Sequence, residues 1–340
     1  MPKPRTTTFA ITAGDPNGIG PEVALKTATA SQPPGRRIVL VGHRAVWERT
    51  AEALHIPLPP QVETLQEAMP PVSTWDPDMA PTPRHAPGHL RSDAAKAAYS
   101  YILAATAAAQ NQLVAGIITT PINKEGFQLA GIHEPGHTEL LARLTGTRRY
   151  AMMLFGRQIR VVLATRHLPL RDVPDALTTD AIVDAVSMLA RALPWMGLKR
   201  ARIGVCALNP HAGDGGALGS EEKTVIIPAV RHCQRKGWNV TGPIPADAIF
   251  HQHLAGHFDA VVAMYHDQGL APMKMLSFDD GINLTLGLPI IRTSPDHGTA
   301  YDIAGQGLAN PASTLAALHW AARLATRPNP WAQSPSTPAI

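Results

Sequence analysis

The run ITAGDPNGIGPEVALK, residues Ile11 to Lys26, decides how the chain is read, because it passes from an apolar strand through a glycine-rich turn into a helix. A dinucleotide-binding turn of the Rossmann type needs G-x-G-x-x-G, the third glycine letting helix and strand pack closely. Gly18 and Gly20 supply the first two, but Val23 stands at the third. Pro21 and Glu22 open the helix instead. Proline suits a first helical turn, where its missing N–H would have no partner, and a glutamate there favours the helix dipole while repelling a pyrophosphate. The run therefore reads as a tight strand-to-helix joint, and an NAD cradle is disfavoured at this point.

Working outward, short β-branched runs alternate with helical patterns. FAIT, RRIVLVG, VAGIITT, YAMMLF, IRVVLAT, ARIGVCAL, FDAVVAMY, INLTLG and PIIRTS read as strands. SDAAKAAYSYILAATAAAQNQ, with Ser92 as its expected N-cap, TTDAIVDAVSMLARAL and SEEKTVIIPAVRHCQRKG read as helices. Strands separated by helices of this length predict an α/β fold with a mainly parallel sheet. The proline-rich stretch Pro57 to Pro87 reads as a long surface connection, and the tail after Arg327 as frayed.

Composition narrows the function classes. The 340 residues are 45% hydrophobic and 16% charged, as in soluble globular proteins, and the net charge of +4 is scattered rather than gathered in a basic stripe. Nucleic-acid binding is not expected. Cys206 and Cys233 have no metal-ligand spacing, and Cys206 lies in an apolar strand, so it reads as core. No signal-like h-region and no apolar run of the roughly 20 residues that span a bilayer is found, which predicts a cytoplasmic protein.

Among the fifteen histidines, three sit just past probable strands: His167 in ATRHLPLRD, His211 in LNPHAGDGG and His266 in MYHDQG. Open α/β sheets gather ligands at such ends. Three neutral imidazoles would leave a metal position open for substrate, although spacing alone favours three separate polar histidines. In EPGHTELL, Gly136, His137 and Thr138 precede a helix, so His137 or Thr138 reads as an N-cap and the helix start as an anion site. Lys274, Asn283 and Arg292 offer a compact cation, an amide and a planar fork suited to phosphate or carboxylate, or else ordinary surface polarity. Asp247 in PADAIF and Asp267 beside His266 are the carboxylates placed to relay a proton or orient a ligand, and Asp247 reads equally as a helix cap.

With ITAGDPNGIGPE, GHTE, LATRHLPLRD, LNPHAGDGG, GPIPADAIF, AMYHDQGLAPMK and GINLTLGLPIIRTSPDHGTA in this order, the chain resembles the 4-hydroxythreonine-4-phosphate dehydrogenase family of pyridoxine biosynthesis over nearly its whole length. The resemblance implies a two-lobed fold like that of isocitrate and isopropylmalate dehydrogenases, with an active-site cleft between lobes. It implies a first lobe of residues 1–130 and 288–340 and a second of residues 131–287. His167, His211 and His266 then match ligands of one divalent metal (Zn, Mg or Co) in a site shared across a homodimer, and His137, Thr138, Lys274, Asn283 and Arg292 match substrate-binding positions. DHGTAYDIAGQGLANP is similar to the adenosine loop of the isocitrate dehydrogenase fold, which assigns NAD or NADP to residues 296–310, with Asp296, Gly298, Asp302, Gly305 and Asn310 as contacts.

The implied reaction oxidises the C3 hydroxyl of 4-phosphooxy-L-threonine and releases CO2, leaving 3-amino-2-oxopropyl phosphate. Some family members read TGPVHK where this chain has TTPINK, so Asn123 replaces a histidine and leaves the substrate subclass open towards phosphorylated threonate or erythronate. A metal- or phosphate-binding protein without activity is the reading from another class. By the same fold analogy the opening turn lies near the cleft, with Asp15 or Asn17 placed to touch ligand.

Overall fold

The computed structural model describes residues 6–30, 35–66, 69–78 and 82–332. Its strands are β1 (Thr7–Thr12), β2 (Arg36–Val41), β3 (Val72–Trp75), β4 (Gly116–Thr119), β5 (Ala151–Phe155), β6 (Arg160–Leu163), β7 (Ile203–Cys206), β8 (Val240–Ile244), β9 (Ala260–Ala263), β10 (Ile282–Leu286) and β11 (Arg292–Pro295). The helices are α1 (Gly20–Thr29), α2 (Arg44–Leu54), α3 (Ser92–Gln110), α4 (Lys124–Leu129), α5 (His137–Leu144), α6 (Val173–Ala176), α7 (Thr179–Trp195), α8 (Ile227–Arg235), α9 (Ala246–Leu254), α10 (His266–Leu276) and α11 (Ala312–Leu324). No helix of the described residues is long and apolar enough to cross a membrane.

The chain divides into two compact units, residues 1–148 with 288–340, and residues 149–287. Within the first unit α5 packs on α3. That packing assigns His137 and Thr138 to the unit that carries Arg292.

In the first unit the strand order is β3-β2-β1-β4-β11, parallel throughout. Ile11 stands opposite Leu40 on one side and Ile118 on the other, all buried. Both faces of such a sheet are covered, so its strands are continuous apolar runs, each buried aliphatic side chain contributing about 1.5–3 kcal/mol. The alanine-rich α3 packs on β1 and β4. The second unit runs β10-β5-β6-β9-β7-β8, with β10/β5 and β5/β6 antiparallel and the rest parallel. The expected α/β class with a mainly parallel sheet is what the chain forms.

Several local expectations are corrected. The proline-rich stretch contains β3, paired with β2 from Ile38↔Val72 to Val41↔Trp75, so it is not wholly a connection. Ser92 is the first helical residue of α3, the N-cap is Arg91, and Asp93 in the first turn accepts from Arg84 N. Neither His137 nor Thr138 caps α5, since Gly136 occupies that position in an extended conformation that any residue adopts. Cys206 is buried in β7 as expected. Past Arg327, Asn329 Nδ2 donates to Leu288 O, while the remainder of the tail, 333–340, lies outside the described residues.

Candidate functional site

In the first unit, β11 begins with Arg292, which is only 2% exposed. Its Nε and Nη2 donate to Thr119 Oγ1 at 3.0 and 2.7 Å, pinning the guanidinium across the end of β4. Burial pushes its pKa down to about 9, so it keeps its charge at neutral pH, helped by the field of Glu139 in the first turn of α5. His137 is held well below the ordinary histidine range, first by burial and then by Arg292 and Lys124. Its Nε2 is shielded from solvent and has no hydrogen-bond partner. A buried cation, a neutral imidazole with an unpaired nitrogen and the free N–H groups of a helix start are what an anion requires. Thr138, also buried, is the second residue of that helix.

The opening turn has a different task from ligand contact. Asp15 is 1% exposed; its Oδ1 accepts from Asn17 N at 2.9 Å and its Oδ2 from the Tyr301 hydroxyl at 2.6 Å. Burial raises the Asp15 pKa against these two donors. Asn17 Oδ1 accepts from Ala86 N, and its Nδ2 donates to His89 O. Both side chains are thus consumed internally, contrary to the expectation that one meets ligand. Ile19 N donates to Thr299 O, and a Cβ on Gly18 would meet that same oxygen at 2.9 Å. Glu22 Oε1 accepts from Ala309 N and from Lys26 Nζ, and the ammonium also donates to Gly307 O and Ala309 O. The glycine-rich turn is the bed on which residues 299–309 lie.

Of the residues assigned to the cofactor, Asp296 N donates to Ser313 Oγ, and Asp302 is exposed while its carbonyl accepts from Gln306 Nε2. Gly298 has open space where a Cβ would stand, Gly305 adopts φ +76° beside Pro87, and Asn310 Oδ1 accepts from Ala312 N in the first turn of α11. Asn123, the departure noted in TTPINK, caps α4 by accepting from Gly126 N at 2.9 Å. It also lies within hydrogen-bonding reach of the Tyr301 hydroxyl.

In the second unit, His167 follows β6 and His266 is the first residue of α10 after β9. Since β6 and β9 are neighbours in parallel register, the two rings come together, 5.4 Å between centroids. His266 Nδ1 bonds to Asp267 Oδ1 at 2.7 Å, which orients Nε2 as the nitrogen left for a ligand. His211 follows β7 on a run in which His211, Ala212, Gly213, Asp214 and Gly215 all have positive φ, from 42° to 77°. Three of these carry side chains, and each such residue costs roughly 1–2 kcal/mol. The buried carboxylate of Glu222 holds the run: Oε1 accepts from Leu208 N and Asn209 N at 2.9 and 2.8 Å, and Oε2 from Asn209 Nδ2 at 2.9 Å. A Cβ on Gly213 would meet Glu222 Oε2 at 2.6 Å.

Among the described residues no group of three His, Cys, Asp or Glu side chains suits a metal. His167 and His266 are neighbours and His266 is bonded to Asp267, and His211 joins no group of three with them among the described residues. Asp247 is exposed in the first turn of α9 and is not its cap. Lys274, in the last turn of α10, has its Nζ 5.8 Å from the centre of the Phe278 ring. Asn283 is in β10 opposite Leu154, with a buried Oδ1 that has no hydrogen-bond partner. Asn123, Tyr301 and Glu222 are absent from the expected set; the only sequence signal was the TTPINK variation, since the other two act from distant positions.

Residues 35–321 match the family described as "Pyridoxal phosphate biosynthetic protein PdxA". A "4-hydroxythreonine-4-phosphate dehydrogenase" of Desulfosudis oleivorans is 43% identical over 324 residues, covering 92% of this chain and 94% of its own. A "D-threonate 4-phosphate dehydrogenase" of Pectobacterium atrosepticum is 39% identical over 323 residues, covering 93% and 99%. The crystal structure of a 4-hydroxythreonine-4-phosphate dehydrogenase from Klebsiella pneumoniae superposes with a TM-score of 0.83 at 40% identity, covering 94% of this chain and 99% of that one.

Proposed function

The chain belongs to the PdxA family of pyridoxal phosphate biosynthetic proteins, and from that premise we propose that it oxidises the C3 hydroxyl of 4-phosphooxy-L-threonine with NAD or NADP, CO2 being lost to give 3-amino-2-oxopropyl phosphate in the cytoplasm. The observation that carries this reading is the buried Arg292 beside the unpaired His137 Nε2 at the start of α5. A guanidinium kept charged in so dry a place suits an anionic substrate group, and the phosphate is the obvious one.

Arg292 and Thr138 hold the phosphate, and His137, neutral through the physiological range, presents Nε2 to one of its oxygens. Fixing the phosphate sets the position of the reacting carbon. Lys274 and Asn283 are assigned to the substrate on the resemblance, the buried unpaired Asn283 Oδ1 being in keeping with a donor on the ligand. Residues 296–310 would hold the nicotinamide cofactor, which would supply the hydride acceptor. His167 and His266 suit a divalent metal, whose Lewis acidity would favour loss of the C3 hydroxyl proton. Asp267 keeps the His266 tautomer, and Asp247 or Asp267 carries protons away.

The third ligand is assigned to His211 of a second copy of the chain. Large apolar side chains are exposed on each of the three histidine segments: Leu168 and Leu170 after His167, Leu218 after His211, and Met275 (87% exposed) and Phe278 (76%) on and after the helix that begins with His266. Clusters of this kind favour burial against a partner.

The test is the formation of reduced cofactor, with Mg, Zn or Co supplied, from 4-phosphooxy-L-threonine and from 4-phospho-D-threonate. Higher kcat/KM on the first is expected, and absence of cofactor reduction with either overturns the reading. The similarity to the Pectobacterium enzyme favours, as a second reading, oxidation of the phosphorylated sugar acid, which the same comparison would reveal.

A further inference from the structure

We propose that Lys124 is a further substrate-anion contact, closing the pocket of His137 and Arg292 from the side of α4. The inference rests on the proposed function and names a residue that the resemblance did not supply. Lys124 is the first residue of α4, and the Asn123 side chain caps that helix. The stem of Lys124 passes beside the start of α5: a Cβ on Gly136 would lie 3.5 Å from Lys124 Cε and equally far from Glu139 Oε2. The lysine stem therefore runs at van der Waals distance from the residue that precedes α5, which places Lys124 beside that helix start.

The ammonium is exposed, and among the described residues no carboxylate comes within ion-pair distance of it. Its field nonetheless reaches His137, adding to that of Arg292 in disfavouring the imidazolium. In this part of the first unit two cations, Lys124 and Arg292, thus act on one shielded nitrogen, with Glu139 as the acidic group that offsets Arg292. An anion between them removes the imbalance. A flexible ammonium at the rim and a pinned guanidinium at the base also divide the work, one admitting a phosphoryl group and the other fixing its orientation.

The position of the lysine is set from afar. Tyr301 donates to Asp15 Oδ2, and Asn123 reaches the same phenol, so the cap of α4 is tied to the loop at residues 299–309. Lys124 is thereby placed by the bed of the opening turn.

The experiment titrates inorganic phosphate into the purified full-length protein by calorimetry and follows the His137 imidazole by NMR, so that neither readout needs turnover. Lys124→Gln is expected to weaken phosphate binding roughly 10- to 100-fold, to leave the thermal midpoint in place and to raise the His137 pKa. Lys124→Arg should restore most of the affinity. In turnover, Lys124→Gln should raise KM for the phosphorylated substrate far more than it lowers kcat. Unchanged phosphate affinity in Lys124→Gln, with affinity lost in Arg292→Met, overturns the role of Lys124 and leaves the anion pocket standing. If the wild-type protein itself binds no phosphate, it is the pocket reading that fails, and this inference fails with it.

Discussion

The two units hold their candidate groups in opposite ways. In the first, Arg292 is buried by its own chain and His137 is half-buried with its Nε2 shielded, and burial is the main cause that lowers both pKa values. In the second, His167 and His211 are exposed, and one chain provides two neighbouring imidazoles rather than three. Groups suited to an anion thus lie together within one unit, whereas the histidines of the second unit stand among exposed apolar side chains. A strained backbone under His211, clamped by a buried carboxylate, is also an expense that packing alone does not explain.

The largest effect that sharpens the comparison is expected on the histidine surface. His211→Ala should lower kcat/KM by more than the roughly 10- to 100-fold typical of residues that merely support a metal ligand. Far-UV circular dichroism should be unchanged, and the metal content per chain should fall. If His211→Ala retains both metal and turnover, the second unit has no such site. Next comes the buried cation: Arg292→Met should raise KM about 100-fold, as expected when a buried charge partner is cut away, with kcat less affected. A KM that stays within twofold would assign Arg292 to the core alone. A smaller effect is expected for Glu222→Gln, which replaces an acceptor of Asn209 Nδ2 by a donor. It should cost about 1–3 kcal/mol in urea unfolding, and metal affinity should fall with it. Loss of stability with metal affinity intact would make the clamp purely structural.

The strands that carry the candidate residues were readable because parallel strands buried on both faces are continuous β-branched runs, as in RRIVLVG and FDAVVAMY. β3 escaped notice because VSTW is flanked by prolines, and β8 because Gly242 and Pro243 interrupt its pattern. His167, His211 and His266 stood out by following strands, a local property. What joins them is not local: Glu222 lies eleven residues beyond His211, and its carboxylate meets backbone that no periodicity marks. The opening turn shows the same limit. Its missing third glycine excluded a pyrophosphate cradle, but its engagement with residues 299–309 is made by Asp15, Tyr301, Glu22 and Ala309, pairs nearly 290 residues apart. The place of Asn123 as a helix cap could be read only once α4 had a start.

The finest probe of the comparison is pH. The folded-state pKa of His137 is depressed, so the unfolded chain, with an ordinary histidine value near 6.5, binds the proton first as the solution is acidified. The contribution of His137 to stability is therefore fully present above about pH 6.5 and is lost as pH falls below it towards the depressed value, at no more than about 1.4 kcal/mol per pH unit. In the second unit His253 is lowered in the same direction, chiefly by burial, with Nδ1 bonded to Phe258 O. The wild-type profile thus contains a share from each unit, and His137→Gln removes the share of the first. Urea unfolding between pH 7.5 and 5 should show the two profiles parallel above about 6.5 and converging below it, because the wild type alone loses that share. Saturating phosphate should reduce the depression of His137 by neutralising the field of Arg292 and Lys124, and so flatten the wild-type slope while leaving that of His137→Gln unaltered. Profiles that remain parallel down to pH 5 would mean that the imidazole is solvated after all, and that the first unit does not hold its charged groups as burial implies.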